Sequence, residues 1–239
     1  MGLTKLLVLF LVPGALMTLV WVVIAPFIES AGFPPIAGLL LAILLVLVPF
    51  ELGVILRASR GHAQRIRSVV PYRRPMSPRD WGWLVPVLIV AAFVGFGLSM
   101  AVEPAVIDSL FGWLPDWFVR PIDPDRVAEY SREAWLVTLG AYFILNGFIG
   151  PIVEELYFRG YLLPRIGRFG AWAPLMNVSL FALYHLWKPW EVLTLIIVLG
   201  PTMYAVWRLR DIRISIAVHI GLNSGVAWLL NIAPTLLFD

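Results

Sequence analysis

Seven stretches of about 20 mostly apolar residues recur along this 239-residue chain, and no other feature restricts its fold so severely. A bilayer core of roughly 30 Å is crossed by about 20 such residues wound as a helix, and a backbone in lipid must satisfy its own polar groups. The stretches cover residues 6–28, 35–56, 81–101, a fourth that begins near Ala134, then 171–187, 192–207 and 212–232. Composition agrees: the chain is 60% hydrophobic and 14% charged, with a mean hydropathy of +0.87, where soluble domains run near 45–50% apolar and about 25% charged. The expected fold is therefore an all-α, polytopic transmembrane bundle of seven or eight helices, a single membrane-embedded domain over residues 1–239. No cysteine is present. Disulfide frameworks, thiolate metal sites and thiol nucleophiles are thereby excluded.

The fourth stretch decides between seven and eight. Apolar sequence continues from Ala134 to about Phe169, too long for one straight crossing, and Gly147, Gly150 and Pro151 interrupt it. A break is expected there, with Pro151 opening a new helical segment.

Charge placement sets the expected orientation, because short cytoplasmic loops carry the excess of Lys and Arg. Loop 57–80 holds Arg57, Arg60, Arg65, Arg67, Arg73, Arg74 and Arg79, and the same side receives Lys5, Arg165, Arg168, Arg208, Arg210 and Arg213. That side should be cytoplasmic, N-terminus included, in the plasma membrane. Loop 102–133 is acidic, with Glu103, Asp108, Asp116, Asp123, Asp125, Glu129 and Glu133 against three arginines, and should face outward with Trp113, Trp117 and Phe118 at the interface. The many tryptophans read as interfacial anchors. The run after Lys5 is longer than a signal-peptide core and shows no small-residue cleavage site, so it reads as a retained anchor. The formal net charge of +3 sits in these loops and marks topology, not a nucleic-acid partner. The partner expected from these features is the lipid bilayer.

Ionisable residues inside such a chain are functional candidates by default. Glu155 and Arg159 lie four residues apart on one helix face and can pair, whereas Glu154 sits about 100° round the helix without such a partner. Glu155 thus reads as structural and Glu154 as a general base; the plain alternative is one buried charge cluster that locks helices together. If the fourth and fifth stretches turn around Phe169 and Gly170, Glu154 and His185 reach the same depth, with Phe181 one turn before His185 to pack beside its ring or simply to fill the core. His219 and Asn223 share a face of the last stretch and offer hydrogen-bond donors to a developing oxyanion, or alternatively glue between helices. Glu51 is expected to pair with Arg57 or reach the interface, and His62 to be solvated. Ser179 and Ser224 lack a lysine or an acid-oriented histidine, so a serine mechanism is not expected.

Taken in order, Glu154-Glu155-Leu-Tyr-Phe-Arg159-Gly160, Phe181-x-x-x-His185 and His219-x-x-x-Asn223 resemble the signature motifs of the CPBP family, the type II CAAX prenyl proteases and related bacteriocin-processing or Abi proteins. The resemblance covers residues 134–232, which would form the catalytic core behind N-terminal spans in 1–133. It implies an intramembrane endopeptidase acting on a peptide or a lipidated, prenylated protein, with Glu154 and His185 acting on water, His219 and Asn223 holding the oxyanion, and Glu155, Arg159 and Phe181 in support. Family members are often described as metalloproteases, so Zn2+ held by Glu154, His185 and His219 is the alternative to the preferred metal-free form, which is favoured by the lack of an HExxH motif. Outside this class, a membrane scaffold or a proton-coupled transporter would also bury Glu and His, although the paired broken helices of transporters are missing from the sequence.

Overall fold

The computed structural model describes residues 1–60, 66–72, 74 and 76–232. Expectations for His62, Arg65 and Arg73 lie outside these residues. Among those described the chain is a helical bundle without strands. The first three stretches become α1 (Leu3–Ser30), α2 (Ile36–Ser59) and α3 (Pro78–Met100), each long and apolar enough to cross a membrane. Arg132–Tyr184 is one further apolar run of 53 residues, and Pro189–Leu209 another candidate span.

The long run does turn where expected. Gly170 adopts φ 55° and ψ −128°, a conformation closed to most side chains, and the leg after it is α6 (Ala173–Tyr184). The break expected at Gly147, Gly150 and Pro151 is absent. α4 (Arg132–Ile144) passes into a π-helical turn over Leu145–Ile149, then into the short α5 (Gly150–Glu154) and a second π stretch over Glu155–Leu162. Ile149 and Gly150 keep helical dihedrals, so the wider turn absorbs the N–H that Pro151 lacks and no eighth span begins there. After α6 come α7 (Val192–Leu209) and α8 (Arg213–Val226), joined through Arg210 in the left-handed conformation.

The core is built around the second leg of this hairpin. α6 packs against α1 and α7, and the Asn177 side chain donates to the Phe158 carbonyl (2.9 Å), tying α6 to the π stretch. Close approach to α1 depends on Gly14, because a Cβ there would overlap the Tyr184 carbonyl. Gly14→Val is expected to cost at least about 1–3 kcal/mol and lower the thermal midpoint in detergent. A Cβ added at Gly53 would meet nothing within 4 Å, so Gly53→Ala should leave that midpoint unchanged or raise it.

The basic segments meet on one face of the bundle. The Arg74 N–H donates to the Arg210 carbonyl (2.8 Å), the Ile212 N–H to the Tyr72 carbonyl (3.0 Å) and Arg165 to the Val69 carbonyl (3.0 Å). The other face gathers the acidic loop: Arg126 bridges Glu29 (2.6 Å) and Glu129, and Trp190 Nε1 donates to Glu103 (3.1 Å). Tryptophans divide between two roles. Trp113 and Trp172 are exposed as anchors should be, but Trp21 is fully buried, stacked on Phe118 and donating to the Pro35 carbonyl (2.9 Å), and Trp187 and Trp190 are buried too. Phe118 is likewise internal rather than interfacial, because it fills the gap between Trp21 and Trp190.

Candidate active site

Glu154 closes α5 and Glu155 opens the π stretch, so both side chains come off the inner wall of the hairpin's first leg. Both are buried, as is Arg159, which is fully inaccessible. Arg159 Nε lies 3.3 Å from Glu155 Oε2, the expected pair, although the contact is one of charge and lacks hydrogen-bond alignment. The guanidinium instead spreads over the Phe181 ring, 3.8 Å from its centroid, a cation–π contact that gains strength where water is scarce. Phe181 in turn meets His185 edge-on at 4.6 Å and His219 at 6.1 Å between centroids. It is the hub on which the cation and both imidazoles are arranged.

The histidines differ from expectation in their partners. α6 ends at Tyr184, and His185 sits on the non-helical residue that follows (φ −76°, ψ 55°). Its Nδ1–H donates to the Phe181 carbonyl (2.8 Å), so the F-x-x-x-H spacing fixes the ring through the backbone as well as through ring packing. Glu154 has no hydrogen bond to His185; its near imidazole is His219, whose Nε2 is 3.8 Å from Glu154 Oε2. His219 Nδ1 meets Glu155 Oε1 at 3.0 Å. Glu155 therefore does more than hold Arg159: it aims His219. A carboxylate only accepts, which puts a proton on His219 Nδ1. In both neutral rings the free lone pair is then on Nε2, and His219 donates from Nε2 only as an imidazolium.

Asn223, half-buried, donates one amide hydrogen to the Asn146 carbonyl in the first π turn (3.0 Å) and keeps a second for another acceptor. Glu154, His185, His219, Asn223 and Asn146 all line one cavity of about 370 Å³, together with Phe181. Three of its neighbours carry no motif signal. Glu51 does not pair with Arg57: it is fully buried, neither oxygen has a hydrogen-bond partner, and its electrostatic neighbours are Glu154, Arg159, Glu155 and Tyr184. The Tyr184 hydroxyl interacts with Glu51 and Glu154 yet meets hydrogen-bond geometry with neither. Asn146 is marked in the sequence only by being polar within a span. Ser224 donates back to the Ile220 carbonyl of its own helix (2.6 Å), in keeping with a non-catalytic serine.

Among the described residues no three His, Cys, Asp or Glu side chains gather closely enough to hold a metal ion. His219 and His185 each hold Nδ1–H on an acceptor, a glutamate and a backbone carbonyl respectively, which leaves the Nε2 lone pair of each neutral ring free.

Glu154, two oriented imidazoles and a carboxamide thus line one cavity inside a bundle of long apolar helices. Residues 136–225 match the family model of the Rce1-like type II CAAX prenyl endopeptidases. The stretch that carries every motif residue is thus similar to the CPBP/CAAX protease family, and an intramembrane protease of the CAAX type is the general activity this likeness supports. Neither a curated protein nor a solved structure shows a significant match to the chain.

Proposed function

We propose that the chain is an intramembrane endopeptidase of the plasma membrane that hydrolyses its substrate without a metal, Glu154 acting as general base. The observation that carries this reading is the convergence of Glu154, His185, His219 and Asn223 on one cavity. Glu154 takes a proton from a water that His185 Nε2 helps to hold, and the resulting hydroxide adds to the peptide carbonyl carbon. The oxyanion accepts from Nε2–H of the His219 imidazolium and from the second amide hydrogen of Asn223. Collapse breaks the C–N bond, and the leaving amine recovers the proton from Glu154. Glu155 orients His219 and offsets its charge, and Arg159 with Phe181 holds Glu155.

The substrate is a peptide or a lipidated, prenylated protein. Buried apolar walls from Met17, Leu39, Ile43 and Leu47 suit a hydrocarbon side chain or lipid beside the scissile bond. A scaffold or proton-coupled carrier gains nothing from the family match, and the discontinuous helix it would use is continuous here.

Removing one oxyanion donor typically costs about 10²–10³ in rate. Asn223→Ala is accordingly expected to lower kcat by about that factor with little change in KM, measured on a purified protein with an apolar, tailed peptide. An unchanged kcat would remove Asn223 from the oxyanion site.

A further inference from the structure

The apolar span α2 carries a single acid, Glu51, and nothing in the hydrolysis described above uses it. An acid within a span is costly to place and is a functional candidate by default. The second half of α2 packs against α5 and the second π stretch, and this contact turns Glu51 inward until it is fully buried with neither oxygen bonded. Leu47, one turn earlier on the same face, lines the cavity, but among the described residues of that lining Glu51 and Tyr184 are absent. Both interact with Glu154 from outside the cavity, out of reach of a substrate. The Tyr184 ring is held where it stands: it meets His185 and Trp187 edge-on, 5.1 and 5.0 Å between centroids, and Phe158 at 4.9 Å. Tyr157, another phenol near Glu51, already donates its hydroxyl to the Leu9 carbonyl (2.8 Å).

Charge counting assigns the protons. In the proposed hydrolysis the Glu154 and Glu155 carboxylates balance the Arg159 guanidinium and the His219 imidazolium, and the remaining neighbours of Glu51, Tyr157 and Tyr184, are neutral. An ionised Glu51 would be a buried charge without a partner, so Glu51 is a carboxylic acid with one hydrogen to give. We infer that Glu51 and Tyr184 are positioning residues for the general base: the Glu51 O–H donates to the Tyr184 hydroxyl oxygen, and the Tyr184 O–H donates to Glu154. The chain holds one oxygen of Glu154 from behind and leaves the other to the water. Catalytic hydrogen bonds are often long or poorly aligned before substrate binds and tighten with it, which accounts for three polar groups that gather here without well-aligned bonds. The catalytic role of this chain rests on the peptidase reading above; the chain itself does not.

On purified protein with the apolar, tailed peptide, Glu51→Leu is expected to lower kcat by about 10²-fold, the cost of a misplaced reacting group, with KM unchanged. Its thermal midpoint should equal or exceed that of the parent, because an unbonded buried polar group gives way to an apolar one. Glu51→Gln still donates from its amide and should recover most of the lost kcat. Tyr184→Phe removes only the hydroxyl and should fall as far as Glu51→Leu, with no further loss when the two are combined. Parental kcat in Glu51→Leu, or a Glu51→Gln protein no better than Glu51→Leu, would overturn the positioning role; if Glu51→Leu does not fold, parental kcat in Tyr184→Phe overturns it equally. Infrared difference spectra read the chain without any substrate. Parent minus Glu51→Gln should show the C=O band of a protonated carboxylic acid, and Tyr184→Phe should shift that band. No such band, or one that Tyr184→Phe leaves in place, would overturn the chain. An active Glu154→Gln protein would sink the peptidase reading and leave the spectra to decide the chain.

Discussion

Purified Glu154→Gln protein is expected to lose peptide cleavage by about 10²–10⁴-fold, the usual worth of a positioned general base, while its thermal midpoint stays close to that of the parent. The exchange keeps size and hydrogen-bonding shape but removes the group that takes the proton from water. Stability should survive, because Glu154 lies 3.8 Å from His219 and the Tyr184 hydroxyl beside it is out of hydrogen-bond geometry, so no well-aligned bond is lost. Glu155→Gln separates the two carboxylates: it leaves the base in place and removes the charged acceptor of His219 Nδ1, so activity should fall through the oxyanion site while water activation remains. Full activity of Glu154→Gln would end the proposed chemistry.

The largest effect on stability is expected at Arg159. Its guanidinium is fully buried between Glu155 and the face of Phe181, and removing one partner of a buried ion pair typically costs about 3–5 kcal/mol because the other charge is left uncompensated. Arg159→Met fills a similar volume without charge, so it should lower the denaturation midpoint in detergent by an amount of that order. Adding Glu155→Gln to Arg159→Met should restore part of the loss, since the stranded carboxylate is then gone. Arg159→Lys keeps the charge but cannot spread over the ring, and should fall between the two. A single mutant as stable as the parent would mean that Arg159 is not holding this wall together.

The features legible in the sequence are those set by local spacing. Apolar length locates the spans, Gly170 marks the turn because few other residues take its φ, and the i,i+4 spacing of Glu155 and Arg159 brings them into contact even though the helix there is π-wound. Gly147, Gly150 and Pro151 mislead because the same residues that break a helix in water are accommodated by a π turn when neighbouring helices enclose it. The partner of each imidazole is illegible for a different reason. His219 and Glu155 lie 64 residues apart, and their meeting depends on how α8 is rotated against the hairpin. Proximity along the chain pairs Glu51 with Arg57, yet α2 turns that carboxyl inward toward Tyr184 and Glu154. The tryptophans show the same limit: composition gives a preference for interfaces, and packing sends Trp21 and Trp190 into the core.

The central claim is that one acid, two imidazoles and a carboxamide, drawn from separate segments, share a water inside the membrane. An experimental structure in lipid, at a resolution that shows ordered water, tests it most directly. The account predicts a water within hydrogen-bond reach of Glu154, about 2.6–3.2 Å, in a cavity that His185, His219 and Asn223 also face. A dry cavity at Glu154, or any one of these side chains turned out to lipid, would contradict it.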